Sequence, residues 1–343
     1  MNAMAIRLFL ALGMTAALVS PGCAGTLSNS AFSDYTPLSS NLELVRRLTT
    51  PLKAAQLPAI LASQHATLGA QAIDLSKESF ALFVPSTEPA TGYGLLVFIP
   101  PWNDARLPDG WDSVLDAAGM IFVSAAQSGN DQSVLARREP LAILAEQNVA
   151  HRYTIDPERI YIAGFSGGSR VAMRLALAYP GVFRGAILDA GSDPIGSADI
   201  PLPPVELFRR FQDKSHLVYV TGDEDLTRLG MAAVSMRSMH DWCMFGVEAQ
   251  EAARAGHQAA SATTLAHALA ALRDATPPDG AEQAACRARI DKEIELQFAT
   301  VETLIAAGDR KSARDVLDAL DKRFGGLASP RSLTLSQAIA QMK

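Results

Sequence analysis

Gly164-Phe165-Ser166-Gly167-Gly168 is the first stretch of this chain whose residue types and spacing could do chemistry. A serine with glycine two positions away on either side fits a nucleophile lifted on a sharp strand-to-helix turn. Average composition produces that spacing by chance about once in ten chains of this length, so its surroundings must decide. Arg159-Ile160-Tyr161-Ile162-Ala163 precedes it with the apolar, β-branched character of a strand. The run from Gly168 to Ala178 follows with helical spacing through Val171, Ala172, Leu175 and Ala176. A serine on such a turn takes a positive φ, and its neighbours must lack bulk so that helix and strand can approach. The expectation is that Ser166 is a nucleophile, with the Gly167 N–H at the helix start able to stabilise an oxyanion. The competing reading is a glycine-rich loop holding a structural serine.

A serine hydroxyl needs a base, and the base needs an orienting acid. Where the nucleophile sits on a turn of this kind, acid and then histidine follow in chain order. The strand Leu217–Thr221 ends in Gly222-Asp223-Glu224-Asp225, which offers three carboxylates. Asp225 is expected to be the triad acid, because a G-x-x-D turn would present it inward. Asp223 is the rival and Glu224 the weakest candidate. His257 follows the last strand, Val247–Ala252, and precedes the helix Ala262–Leu272. That position suits a general base, against the plainer reading of a surface-loop histidine. His240 and His267 fall inside helices, and His65, His151 and His216 lie on the wrong side of their elements.

A second oxyanion donor is expected from the loop after the strand Leu95–Ile99. That loop reads Pro100-Pro101-Trp102-Asn103, and proline has no N–H, so the first available donor is Trp102. Its indole could equally line the substrate pocket or pack at the rim. This chemistry calls for no metal and no organic cofactor.

These residues need a frame. Runs at 79–84, 95–99, 119–124, 159–163, 185–189, 217–221 and 247–252 read as strands. Helical patterns at 135–153, 168–178, 204–212 and 229–244 alternate with the later ones. Alternation of this kind builds an α/β fold, a mostly parallel sheet with helices on both faces. Residues 26–76 read as a linker, 26–40, followed by a helical segment broken at Pro51; residues 77–275 form the catalytic domain. After Pro277-Pro278-Asp279-Gly280 the pattern changes to two long helices, 281–307 and 309–323, a hairpin within a C-terminal extension, 276–343. Only about 27 residues, 190–216, separate two sheet strands where a lid could be inserted, so the site is expected to be open.

The run Thr154-Ile155-Asp156-Pro157-Glu158-Arg159 leading through Tyr161-Ile162-Ala163-Gly164 to Ser166 resembles the polyhydroxybutyrate-depolymerase and feruloyl-esterase branch of the α/β-hydrolases. Ala178-Tyr179-Pro180 and the strand Phe183–Ala190 continue the likeness, which covers roughly residues 77–273. It implies the α/β-hydrolase fold and serine-esterase chemistry through an acyl-enzyme, on small, polymeric or polysaccharide-borne esters. The Pro100-Pro101 loop departs from the His-Gly usual in such proteins, and the C-terminal hairpin sets this chain apart. An exported serine peptidase with the same triad order is an alternative. So is a non-catalytic envelope protein that keeps the fold.

The chain has 343 residues, of which 48% are hydrophobic, ample for a large core. Thirty basic against 36 acidic side chains give a net charge of −6 and no electrostatic reason to bind nucleic acid. Residues 1–25 have the layout of a secretory signal: Arg7, an apolar run from Leu8 to Val19, then small residues around Cys23. Gly22-Cys23 resembles the end of a bacterial lipobox, although Ser20 and Pro21 are atypical there, so either lipid anchoring on Cys23 or ordinary cleavage near Ala24 would follow. Export to the periplasm or cell envelope makes a Cys243–Cys286 disulfide an expectation, against two separate buried thiols. Such a bridge is expected to brace the loop bearing His257 against the C-terminal tail.

Overall fold

Strand β3, Tyr93–Ile99, is buried along its whole length and shows how the sequence builds the centre of the molecule. Its side chains alternate across the sheet: Leu95, Val97 and Ile99 enter one apolar cluster, Leu96 and Phe98 the other. The structure is a computed structural model and describes residues 25–342. The expected leader and Cys23 lie outside the described residues. No helix among the described residues is long and apolar enough to cross a membrane.

The other strands are β1, Thr26–Ser30; β2, Phe80–Val84; β4, Met120–Ala125; β5, Ile155–Phe165; β6, Gly185–Asp189; β7, His216–Gly222; and β8, Val247–Ala252. They form one eight-stranded sheet in the order β1-β2-β4-β3-β5-β6-β7-β8. The β1–β2 and β2–β4 pairs are antiparallel and all later pairs are parallel. This is the expected α/β-hydrolase architecture, a mostly parallel sheet carrying helices on both faces.

The helices are α1, Asn41–Leu48; α2, Pro51–Ser63; α3, Trp111–Ala118; α4, Glu139–Arg152; α5, Gly167–Ala178; α6, Val205–Lys214; α7, Leu226–Asp241; and α8, Ala262–Arg273. Helices α3 and α8 cover one face through Trp111, Leu115, Leu265 and Leu269. The opposite face is covered by α4 to α7, through Leu141, Val171, Phe208 and Met239. Three further helices follow: α9, Gly280–Ala306; α10, Arg310–Phe324; and α11, Arg331–Gln341. The core on the α4–α7 face runs on without a break into them through Ile290, Phe298 and Leu317.

Three elements correct the sequence reading. Residues 26–40 are not all linker: Thr26–Ser30 is an edge strand with a single apolar residue, Leu27, too little for an alternation to read, and backbone pairing to β2 holds it. Gly119 does not open a strand; at φ 58° it is the left-handed C-cap of α3, an element the sequence reading left out. The C-terminal extension goes beyond a hairpin, because α11 follows and packs back against α2 and α9.

The Cys243–Cys286 disulfide is formed. Cys243 follows the C-terminal end of α7, while Asp225 caps its N-terminal end. Sixteen helical residues span about 24 Å, so the bridge secures the far end of α7 and not the loop bearing His257. That corrects the expected brace.

Candidate active site

Ser166 sits between β5 and α5 with φ 54° and ψ −118°, a conformation rare for any residue but glycine. The surroundings enforce it. Its N–H donates to the Asp189 carbonyl oxygen at 2.8 Å, tying the turn to the end of β6. A Cβ on Gly164 would collide with the Gly168 backbone, and one on Gly168 with the Ile99 carbonyl, so both glycines are required by close approach.

Asp225 ends the turn after β7. Its N–H donates to the Gly222 carbonyl at 3.0 Å, the G-x-x-D turn. One carboxylate oxygen caps α7 by accepting from the Arg228 N–H at 3.3 Å. The other lies 2.6 Å from His257 Nδ1, and His257 Nε2 lies 3.0 Å from Ser166 Oγ. With its proton on Nδ1, the imidazole donates to Asp225 and accepts from the serine hydroxyl. The Asp225 side chain is 10% exposed and that of His257 41%, so the acid is shielded and the imidazole is reachable.

The rival Asp223 carboxylate is engaged elsewhere, and Glu224 is held by its backbone. Asp223 accepts from the Ala255 N–H at 3.2 Å, and the Glu224 N–H donates to the Ala255 carbonyl at 3.0 Å. Together they tie down the start of the loop that carries His257. The end of that loop is held at Ala260, whose N–H donates to Asp189 Oδ2 at 2.7 Å and whose carbonyl accepts from Trp111 Nε1 at 2.8 Å. The ring of Phe165 lies against His257, centroids 5.0 Å apart. His240 packs edge-on against Phe245, and His151 pairs with Asp34 at 3.1 Å, both away from the site.

Asp189 and Asn130 are neighbours of the site that the sequence reading missed. Burial pushes the Asp189 carboxyl up to about 8, with the Ala260 N–H opposing in part. Asp189 was read only as the last residue of a strand. Asn130, in the loop after β4, holds its side chain against Gly167 and donates its own N–H to the Pro101 carbonyl at 3.0 Å. No motif marks it; only the rule that loops at the carboxyl ends of parallel strands converge on the site could have found it.

Trp102 lies on the loop after β3, its ring between Phe98 and Phe165 with both centroids at 6.2 Å. The Arg106 guanidinium covers it at 4.5 Å. Among the described residues, neither the Trp102 nor the Gly167 backbone N–H donates to a protein acceptor. Between β6 and β7 the described residues hold one helix, α6, so no large cap is inserted there.

Residues 123–261 match the family model described as Esterase PHB depolymerase. The match spans Ser166, Asp225 and His257 and leaves out Trp102. No curated protein matches the chain. Among solved structures, an S-formylglutathione hydrolase from Staphylococcus aureus is 9% identical, covers 57% of this chain and 92% of its own, and has a TM-score of 0.46. An α/β-hydrolase enzyme from a Medee basin deep-sea metagenome library is 16% identical over 55% of this chain and 81% of its own, TM-score 0.42. Porphyromonas gingivalis dipeptidyl peptidase 4 is 15% identical over 58% of this chain and 34% of its own, TM-score 0.42. The chain spans about a third of the length of the dipeptidyl peptidases it matches.

Proposed function

For a chain of α/β-hydrolase fold whose candidate site lies within an esterase-family match, we propose hydrolysis of carboxylic esters through a Ser166-His257-Asp225 triad. One observation carries this reading: an unbroken hydrogen-bonded chain from Asp225 through His257 to a serine held at positive φ. Ser166 Oγ attacks the ester carbonyl carbon while His257 Nε2 takes its proton. Negative charge gathers on the carbonyl oxygen, where the Gly167 and Trp102 N–H groups donate. As the tetrahedral intermediate collapses, the carbon–alkoxide bond breaks and the imidazolium gives its proton to the departing alcohol. Water then repeats the sequence on the acyl-enzyme, releasing the acid. Asp225 holds the imidazole tautomer throughout. A second Ser166-bonded route, peptide hydrolysis, uses the same steps with an amine leaving group.

The test is paired. An organophosphonate probe should label the protein on Ser166, located by peptide mass spectrometry, and p-nitrophenyl ester turnover should fall on the order of 10⁵-fold or more in Ser166→Ala. Unchanged turnover in that variant would remove the mechanism. A labelled serine with turnover of peptides and none of esters would move the reading to a peptidase.

Export to the periplasm or envelope belongs to the same proposal, supported by the leader-like N-terminus and the disulfide. If Cys23 is the lipid anchor, an alkyne fatty acid fed to cells should label the full chain and not its Cys23→Ser variant.

A further inference from the structure

A cavity of about 560 Å³ opens beside Ser166 and Gly167, and arginines outnumber carboxylates in its lining. Four arginines face it, Arg138, Arg170, Arg174 and Arg228, against two carboxylates, Asp193 and Asp199. Two of the four are already neutralised: Arg170 pairs with Asp193, and Arg174 with the fully buried Glu139 at 2.6 Å. Asp199 stands exposed at the rim and offers Arg174 its backbone carbonyl.

Neither of the remaining two guanidiniums forms a salt bridge among the described residues, although Asp131 and Glu139 lie near enough to Arg138 to stabilise its charge in part. Arg138 is 3% exposed and donates only to the Ser128 and Pro100 carbonyls, each at 2.9 Å. Taking that charge out of water is costly, and burial lowers its pKa to about 10. Arg228 stands one helical turn after the triad acid, where its backbone caps on Asp225 and its side chain reaches only the Met231 sulfur, at 3.2 Å. A guanidinium left with a thioether, a weak acceptor, at the mouth of a site is poised for an anionic oxygen pair. Leu135 and Ile200 add apolar wall to the same cavity.

We propose that this cavity selects esters bearing an anionic oxygen group on the acyl or alcohol part, with Arg228 as the residue that binds it and Arg138 supplying long-range attraction. The inference rests on the ester-hydrolase reading and names its substrate class. The carboxylate would dock with its charge on Arg228, its apolar linker against Leu135 and Ile200, and its ester carbonyl at Ser166. A neutral ester of the same length leaves Arg228 unanswered and gains only the apolar contact.

The experiment compares matched pairs on the mature, disulfide-bonded protein. For the acyl side, 4-nitrophenyl hemiglutarate is set against its methyl ester; for the alcohol side, 4-acetoxybenzoate against methyl 4-acetoxybenzoate. Wild type should favour the anionic member of at least one pair by about tenfold or more in kcat/KM, the scale of a charge-assisted hydrogen bond. The anionic-to-neutral ratio should collapse towards one in Arg228→Gln and invert in Arg228→Glu, with melting temperature reporting that both variants fold. Equal rates within both pairs, or ratios untouched by either substitution, would overturn the proposal. Failure of the esterase reading looks different: no ester is turned over in a Ser166-dependent way. Calorimetric binding of glutarate to Ser166→Ala protein then reads the cavity alone, where tight binding lost in Arg228→Gln upholds the anion site and its absence removes it.

Discussion

The serine side and the histidine side of this candidate site are built by opposite means. Ser166 is positioned by consecutive residues: a buried strand, a turn that admits only glycine on both flanks, and a helix packed back upon the strand. His257 is positioned by residues far apart in the chain. Asp223, Asp189 and Trp111 each hold one backbone group of its loop, across sequence separations of 32, 71 and 149 residues. The first arrangement cannot be altered without moving the central sheet. The second can loosen at any of several points and still leave the sheet intact. The difference teaches that the histidine side is where substitutions should grade activity, and the serine side where they should abolish it or unfold the chain.

The sharpest way to break that comparison is at the two neighbouring aspartates. Asp225→Asn keeps the α7 cap and the shape of the site but turns an amide N–H donor to Nδ1, which stabilises the wrong imidazole tautomer. A loss on the order of 10⁴-fold in kcat is expected for such a change. Asp223→Asn alters only the tether to Ala255, so its loss should stay within about tenfold. Steady-state assays on a p-nitrophenyl ester check both. A reversed ranking would mean that Asp223 serves the imidazole in solution and that the loop is held another way.

These expectations also show how far the sequence could be read. The elbow was legible because its strand, serine, flanking glycines and helix form one continuous stretch, 159–178. Asp225 and His257 were legible by chain order and by their place after the last two strands. Their supports were not, because the hydrogen bonds from Ala255, Ala260 and Trp111 involve backbone groups, which carry no residue signature. Arg138 and Arg228 carried no signal in the sequence, because only the fold brings both into the lining of one cavity beside Ser166. Strand β1 escaped for a related reason: its pairing uses only its backbone, and its side chains face water.

The disulfide sharpens the comparison from the other direction. It ties α7 to α9 at the end of α7 remote from Asp225. The extension is further held by Trp242 against Phe324, centroids 5.8 Å apart, and by the Gly326 N–H on the Leu202 carbonyl at 2.8 Å. Replacing both Cys243 and Cys286 by serine should cost up to about 3–4 kcal/mol of stability, by loop-closure entropy over 43 residues. Urea unfolding reads that cost. The kcat/KM of the folded variant should stay within about twofold of wild type. A large loss of activity with the fold intact would place the bridge in control of the base loop after all.

An effect on stability with pH, and not on turnover, is expected at Asp189, whose buried carboxyl anchors Ala260 beneath the loop bearing His257. Burial raises its pKa to about 8 in the folded chain, against 3.8 for an unperturbed aspartate. A carboxyl raised in this way favours folding most below pH 4, where it is protonated in both states. As pH rises towards 8 the unfolded chain ionises it and the folded chain does not, so wild type loses stability over that window; above 8 the loss levels off. Glu146, pushed by burial to about 7, adds to the same trend and must be separated from it. Asp189→Asn does so, because the amide oxygen can still accept from the Ala260 N–H but cannot ionise. The melting-temperature difference between variant and wild type should therefore grow in the variant's favour from pH 4 to pH 8 and then stay constant. Parallel curves would show that Asp189 keeps its charge inside the fold, and the anchor of the base loop would then be an ionised carboxylate instead of a neutral one.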